Sequence, residues 1–253
     1  MKRNSVASQL LPWLIPLIII ILWQIASSLT WISSNVLPAP LAVVSAGVEL
    51  FESGELMTNL TISLYRATVG FVIGGGIGFI LGLLTGLSKT CRLLLDSTIQ
   101  MIRNIPHLAL IPLVIAWFGI DEVSKIFLVA IGVMFPVYVN TLHGIIGVDS
   151  DLIEMGKIYQ LSKWQLYTNI IFPSALPSIL VGIRYALGVM WTTLIVAETI
   201  ASDSGIGYMA MNAREFMQMD VIVLSILLYA ILGKISDLIA KYFEDITLAW
   251  RDL

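Results

Sequence analysis

The side chains that could carry chemistry are few in this sequence, and they stand apart from one another. His107 and His143 have no cysteine or carboxylate neighbours at metal-ligand spacing, so each is expected to be a packed interior residue. Gly233 and Lys234 lack the upstream glycine and the following hydroxyl of a phosphate-binding loop. No Ser-His-Asp or paired-carboxylate arrangement is recognisable. The sequence therefore predicts no catalytic, metal or cofactor-binding site.

A charge inside an apolar stretch costs at least ~2.5 kcal/mol and needs a partner or a wet cavity, and Arg184 and Glu198 are two residues of this kind. Arg184 is a candidate for lining a translocation path and meeting an anionic solute, although snorkelling or an internal ion pair would also satisfy it. Glu198 is the second candidate for such a path. Arg66 is expected to reach the outer membrane interface, and Asp121 and Glu122, at a predicted outer helix edge, are expected to lie in a solvated loop.

The composition indicates a membrane protein. Of 253 residues, 58% are hydrophobic and 12% are charged, and the mean hydropathy is +0.91. Soluble domains contain about 45–50% apolar and about 25% charged residues. The net charge of −3 gives no sign of a nucleic-acid partner. The single cysteine, Cys91, excludes an intrachain disulfide.

Six stretches approach the length of about 20 mostly apolar residues that a bilayer-crossing helix needs. They are residues 11–29, 67–87, 105–120, 126–148, 178–200 and 221–243. The third contains Pro106 and Pro112 and is expected to be kinked or partly irregular. The first is interpreted as an uncleaved span rather than a signal peptide. The predicted fold is all-α, a polytopic membrane protein with six transmembrane helices.

The basic residues predict the orientation of these spans, because lysine and arginine favour the cytoplasmic side. With the N-terminus inside, the cytoplasmic side holds Lys2, Arg3, Lys89, Arg92, Arg103, Lys157, Lys163, Lys241 and Arg251. The outer segments hold only Lys125 and Arg214. We therefore expect both termini, and the polar interruption at residues 149–177, to lie in the cytoplasm.

Glycine recurs at every fourth position of the second predicted span. The positions are Gly70, Gly74, Gly78, Gly82 and Gly86. Small residues at this spacing let two helices approach closely in lipid. The stripe predicts a close crossing within the bundle or at a subunit interface, and generic packing between spans remains an alternative.

The polar interruption at residues 149–177 carries helix-capping patterns. Asp151 with Glu154 predicts a helix that starts just before Leu152, and Ser162 with Gln165 predicts a second capping box. Pro173 has no amide hydrogen and is expected to end the second helix. These patterns predict two short helices, outside the bilayer, joined by a turn near residue 160.

This interruption resembles the coupling loop of ABC-importer permeases, the segment that docks on the ATPase subunit. The matching residues are Glu154, Met155 and Gly156 at the start, Tyr159, Gln160, Leu161 and Ser162 at the turn, and Pro173 and Pro177 at the end. One residue departs from the family pattern, because Gln160 stands where the family has glycine. If the backbone there is left-handed, the non-glycine residue costs about 1 kcal/mol.

The resemblance extends over nearly the whole chain. The runs 103–141 and 196–220 are similar to permeases that import sulfonates, taurine, nitrate or bicarbonate, and most closely to aliphatic-sulfonate permeases. The resemblance implies a type I permease bundle in a bacterial cytoplasmic membrane, with an N-terminal helix and outer segment (1–57), a core (58–245) and a cytoplasmic tail (246–253). It also implies four partners besides membrane lipid: a second copy of this chain, two ATPase subunits and an extracytoplasmic binding protein.

Several alternatives stay open at this point. Within the same family, the solute could be taurine, nitrate, bicarbonate or a pyrimidine precursor. A secondary transporter is disfavoured because the halves show no clear repeat, and Glu198 and Asp237 are the only acids within the predicted spans. A membrane-embedded enzyme is disfavoured because no nucleophile or metal constellation is recognisable.

Overall fold

The computed structural model describes residues 6–250, with side chains described at Leu11 and from Leu14 onward. Within this range the chain forms α-helices and no strand, which confirms the all-α prediction. The helices are α1 Val6–Ser28, α2 Pro40–Glu52, α3 Glu55–Leu87, α4 Lys89–Arg103, α5 Ile111–Phe118, α6 Glu122–Ile146, α7 Ser150–Ile158, α8 Lys163–Leu166, α9 Phe172–Ile200, α10 Ile206–Glu215 and α11 Met219–Thr247. The terminal basic residues Lys2, Arg3 and Arg251, used above to predict orientation, lie outside the described residues.

Four helical stretches are long and apolar enough to cross a bilayer: α3, α6, the continuous helix Lys163–Ile200, and α11. A fifth span is formed if α4 and the segment His107–Phe118 are counted together, although they meet at a bend of 79°. Helix α1 adds a shorter apolar stretch, Leu14–Ser28. The polytopic fold is therefore confirmed, and the six predicted spans agree approximately with these elements.

The third predicted span is broken, as its two prolines indicated. Pro106 precedes a 3₁₀ turn at His107–Leu110, and Pro112 lies in the first turn of α5. Proline lacks the amide hydrogen that a continuing α-helix would need. The break therefore occurs where the sequence cannot supply helical hydrogen bonds.

The second predicted span is longer than its apolar stretch. Helix α3 starts at Glu55 rather than at residue 67, so its first three turns contain polar residues. Thr58 and Thr61 each donate a hydroxyl hydrogen bond to the backbone carbonyl four residues earlier. The boundary expected at residues 57/58, between the N-terminal segment and the permease core, falls inside this helix. Hydropathy alone missed this start because a helix can extend beyond the apolar layer.

Helices α3, α6 and α9 enclose the main core, against which α10 and α11 pack. Each glycine of the α3 stripe faces α6. A Cβ on Gly74 would collide with the backbone of Ala130, and one on Gly78 would collide with the carbonyl of Met134. Backbone atoms cannot move aside as side chains can, so these two positions require glycine for the crossing. The stripe therefore lies at a helix contact within one chain.

Candidate functional site

The polar interruption forms a helical hairpin, here defined as α7, the following turn and α8 (residues 150–166). Its first helix starts earlier than predicted. Asp149, not Asp151, is the N-cap, and its side chain accepts a hydrogen bond of 2.9 Å from the Asp151 amide. Two acidic residues two positions apart, Asp149 and Asp151, made the sequence pattern ambiguous, and the upstream one caps the helix.

The second helix of the hairpin starts as predicted. Ser162 Oγ accepts a hydrogen bond of 3.2 Å from the Gln165 amide, and Gln165 Oε1 accepts one of 2.9 Å from the Ser162 amide. This reciprocal pair is the capping box that the sequence indicated. The cap fixes where the chain leaves the turn and enters α8.

The turn between the two helices has left-handed backbone at Gln160, with φ of 56°. The Leu161 amide donates to the Gly156 carbonyl at 3.0 Å, and the Gln160 amide donates to the Lys157 carbonyl at 2.9 Å. This pair of bonds is a Schellman motif, which normally has glycine at the left-handed residue. Gln160 is therefore a non-glycine residue with left-handed backbone, and the strain of this conformation is about 1 kcal/mol.

Gly156 allows the two helices of the hairpin to approach each other closely. It is buried, and a Cβ built there would lie 2.6 Å from Leu166 Cδ1 and 2.8 Å from Ile170 Cδ1. Both distances are shorter than a carbon–carbon contact, so any larger residue must displace these side chains. Gly156 therefore sets the spacing within the hairpin.

Pro173 does not end the second helix, contrary to the sequence prediction. A π-helical turn at Tyr167–Ile171 follows α8 and leads into α9, in which Pro173 lies in the first turn. The widened turn lets the helix continue past a residue that has no amide hydrogen. Pro177 likewise lies inside α9. The result is one continuous helix from Lys163 to Ile200.

The hairpin presents a set of exposed apolar side chains beside charged ones. Ile158 is 79% exposed, and the neighbouring Tyr159 and Trp164 are exposed to a similar degree. Met155 and Leu152 add to this surface, and Glu154 on the same helix is also exposed. Clustered apolar residues with a charged rim are typical of protein interaction sites.

Arg66 forms the centre of a second polar site, at the opposite ends of α6 and α9 from the hairpin. Its side chain is completely buried. It donates to both oxygens of Glu122 and, at 2.9 Å, to Glu198 Oε1. It also donates to Ser202 and Ser204. We call Arg66, Glu122, Glu198 and their hydrogen-bond partners the Arg66 cluster.

Glu198 is enclosed by donors within this cluster. Its carboxylate accepts hydrogen bonds from Ser63 Oγ at 2.9 Å, Tyr229 Oη at 2.8 Å and the Gly207 amide at 2.9 Å. Gly205 has φ of 103°, and a Cβ there would collide with the Glu198 carboxylate. The cluster thus joins α3, α6, α9 and α11 to the segment 202–207.

Sequence reasoning placed Arg66 at an interface and Glu122 in a solvated loop, and the structure corrects both. Arg66 is buried rather than snorkelling, because two carboxylates and two serines satisfy its guanidinium. Glu122 is half-exposed but pairs with Arg66. The sequence contained one signal for this pairing. Arg66, Glu122 and Glu198 stand at or beside the ends of three predicted spans, all on the same side of the membrane.

Arg184 lies in a separate, more open cluster. It is 39% exposed, and its guanidinium pairs with Asp237 and, at 3.5 Å, with Glu244. Lys234 also reaches Asp237, at 3.3 Å. The structure therefore brings Arg184 together with acids of α11, and not with Glu198. The assignment of Arg184 and Glu198 to a translocation path stays a prediction.

No group of three His, Cys, Asp or Glu residues that could hold a metal ion occurs within residues 6–250. What the described residues present instead is a membrane-spanning bundle, closed by ion pairs at one end and carrying an exposed helical hairpin at the other. This combination is that of a multi-pass membrane protein with a surface suited to a partner protein.

The chain belongs to the family of binding-protein-dependent transport system inner membrane components, which matches residues 74–245. The aliphatic sulfonates transport permease protein SsuC of Escherichia coli (strain K12) is 57% identical over 240 residues, covering 95% of this chain and 91% of that protein. SsuC of Bacillus subtilis (strain 168) is 46% identical, covering 94% of this chain and 87% of that protein.

A solved structure supports the same fold. The crystal structure of an amino acid ABC transporter with histidines contains a chain that superimposes with a TM-score of 0.63, covering 78% of this chain and 96% of that chain. The two sequences are 18% identical, so the likeness concerns the fold alone. The type I ABC-importer permease fold expected from the sequence is thereby confirmed.

Proposed function

We propose that this chain is the membrane-spanning subunit of an ATP-driven importer of aliphatic sulfonates that works by alternating access. The single observation that carries the proposal is the helical hairpin, which exposes apolar side chains and whose second helix, α8, is continuous with the bundle. In the proposed mechanism, ATP-driven closure of two partner ATPase subunits moves the hairpin. The bundle then opens toward a binding protein loaded with solute, and ATP hydrolysis by the partners resets it.

The hairpin is suited to transmit force because its second helix, α8, runs into α9 without a break in the helix. One helix runs from Lys163 to Ile200, and Ser178 within it donates a hydrogen bond of 2.8 Å to the Asn140 carbonyl of α6. Displacement of α8 therefore moves α9 with it. The residues that match the family's coupling loop, including Glu154 and Gly156, supply the surface and spacing for the ATPase contact.

The proposed orientation places the hairpin in the cytoplasm of a bacterium, where ATP is available. Lysine and arginine are concentrated on the hairpin side of the predicted topology, which favours that side as cytoplasmic. Both termini then lie in the cytoplasm. The Arg66 cluster lies toward the outer face, where a solute-binding protein would dock.

A second copy of this chain is proposed to complete the transporter. Helices α3 and α11 expose many apolar side chains, which need lipid or another protein around them. Two copies would present two hairpins, one for each ATPase subunit. The aliphatic-sulfonate substrate is proposed because the relatives at 57% and 46% identity carry that substrate in their names.

The decisive experiment substitutes the most exposed apolar residue of the hairpin. We expect Ile158→Asp to reduce co-purification of the ATPase subunit on the order of tenfold or more, because it adds a charge to an apolar contact. Uptake of labelled pentanesulfonate into proteoliposomes should fall in parallel, while the amount of permease in the membrane stays unchanged.

Met217→Asp is the matched control. Met217 is 78% exposed, against 79% for Ile158, and it lies at the opposite end of the bundle. The control should retain the ATPase. Normal ATPase recovery with Ile158→Asp would refute the role of the hairpin. Sulfonate uptake without any ATPase would instead support a secondary transporter and overturn the proposal as a whole.

A further inference from the structure

A cavity of about 330 Å³ lies between the broken third span, α6 and α9. Arg103 and His107 border it from the break, Asn140 borders it from α6, and Tyr185 borders it from α9. Neither the hairpin nor the Arg66 cluster contributes a lining residue. The volume is that of a small organic ligand site.

The polar lining of this cavity favours an anion. Arg103 is exposed, and within the described chain its guanidinium forms no ion pair. No carboxylate is among the described residues that line the cavity. A cation without a counter-ion in a recess raises the local concentration of anions. Guanidinium groups also match the oxygen geometry of oxyanions.

Two neutral polar groups flank this cation. The Asn140 amide donates to the Pro136 carbonyl at 2.9 Å and has a second N–H to offer. His107 Nε2 lies 3.0 Å from Thr193 Oγ1, so its orientation is fixed by α9. Gly132 leaves room for this contact, because a Cβ there would lie 2.9 Å from Thr193 Oγ1. The polar side of the cavity is therefore positioned by packing.

The remaining lining is apolar. Phe135 and Val139 project from α6, and Tyr185 and Val189 project from α9. These residues supply an aromatic and aliphatic wall beside the polar groups. A ligand that fits both parts has an oxyanion at one end and a short hydrocarbon chain at the other.

We infer that this cavity binds the solute as it crosses the bundle, with the sulfonate oxygens at Arg103 and Asn140 and the alkyl chain against Phe135 and Tyr185. This inference rests on the proposed import function and adds a specificity site to it. A zwitterion such as taurine is disfavoured there, since its ammonium group meets no carboxylate. Because Tyr185 and Val189 lie on the helix that continues from the hairpin, movement of the hairpin also moves one wall of the cavity.

The test uses the complete transporter in proteoliposomes, with its ATPase subunits and binding protein, and compares uptake of pentanesulfonate with ATP hydrolysis. We expect Arg103→Gln to lower uptake about tenfold or more, from loss of a charge-assisted hydrogen bond. ATP hydrolysis stimulated by the binding protein should stay within about twofold, since the hairpin is intact. Arg103→Lys should retain part of the uptake. Lys89→Gln, an exposed basic residue at the start of the same helix, is the control and should behave as the wild type.

A second variant tests the apolar wall. Tyr185→Ala should lower uptake of pentanesulfonate relative to methanesulfonate by about threefold or more, because only the longer chain reaches the wall. Unchanged pentanesulfonate uptake by Arg103→Gln, in a system where the wild type is active, would overturn the inference and leave the proposed function standing. Absence of sulfonate uptake by the wild type would overturn the proposed function itself.

Discussion

The Arg66 cluster and the hairpin lie at opposite ends of α6 and α9, and they differ in how their side chains are satisfied. At the first, Arg66 and Glu198 are fully buried and every major polar group has a partner. At the second, Ile158, Tyr159 and Trp164 are largely exposed. The first end consolidates the bundle, and the second offers a surface that only a partner can cover.

This difference implies two kinds of failure. Changes at the Arg66 cluster should reduce the amount of folded protein, because a buried charge loses its counter-ion. Changes at the hairpin should leave the protein in the membrane and impair coupling to the ATPase. Single substitutions at the two ends should therefore separate folding from coupling.

Arg66→Met should have the largest effect. It removes the cation that neutralises Glu198, and breaking a buried pair in this way costs about 3–5 kcal/mol. We expect a marked fall in membrane abundance and in the unfolding temperature in detergent. Adding Glu198→Gln should recover part of the loss, because the amide can keep neutral hydrogen bonds with Ser63 and Tyr229. Wild-type abundance of the single variant would mean that the cluster does not hold the bundle together.

Gly156→Ala should have an intermediate effect, confined to the hairpin. The added methyl group meets Leu166 and Ile170, and overpacking of this kind costs about 1–3 kcal/mol. We expect weaker ATPase co-purification at normal membrane abundance. Combining it with Leu166→Ala should restore much of the binding, because the second change makes room. If the double variant is no better than the single one, the spacing of the two helices is not what the ATPase recognises.

Gln160→Gly should have a smaller effect of opposite sign. Glycine adopts the left-handed backbone without strain, although it also gains freedom in the unfolded chain, so the net stabilisation is at most about 1 kcal/mol. The measurement is amide hydrogen exchange of the turn, which should become slower if the turn is stabilised. Lys157→Gly is the control, because residue 157 is helical and glycine there should speed exchange. Faster exchange in Gln160→Gly would show that the side chain, not the backbone, matters at this position.

The sequence predicted local features of the hairpin well. The Ser162 capping box and the break at Pro106 depend on residues within four positions of each other, and the structure confirms both. Two local predictions were wrong for equally local reasons. Asp149 offered an earlier cap than Asp151, and a π-helical turn carried the helix past Pro173.

The ion pairs could not be predicted in the same way. Arg66 and Glu198 are 132 positions apart, and Arg184 and Glu244 are 60 apart, so their pairing depends on how the helices pack. Hydropathy marks each residue as costly in a span but does not say which partner satisfies it. For Arg184, the sequence therefore left both a solute path and an ion pair open. In the structure, its guanidinium pairs with acids of α11.

Arg184→Gln should have the smallest effect, and it sets the lower limit of the comparison. The Arg184 cluster is open, and Lys234 remains beside Asp237 after the substitution, so the loss should be at most about 1 kcal/mol. We expect membrane abundance and pentanesulfonate uptake within about twofold of the wild type. A loss of abundance like that of Arg66→Met would mean that this cluster is shielded by lipid or a second copy. Reduced uptake at normal abundance would instead place Arg184 on the solute path, because an arginine whose only role is an ion pair should not affect transport without affecting stability.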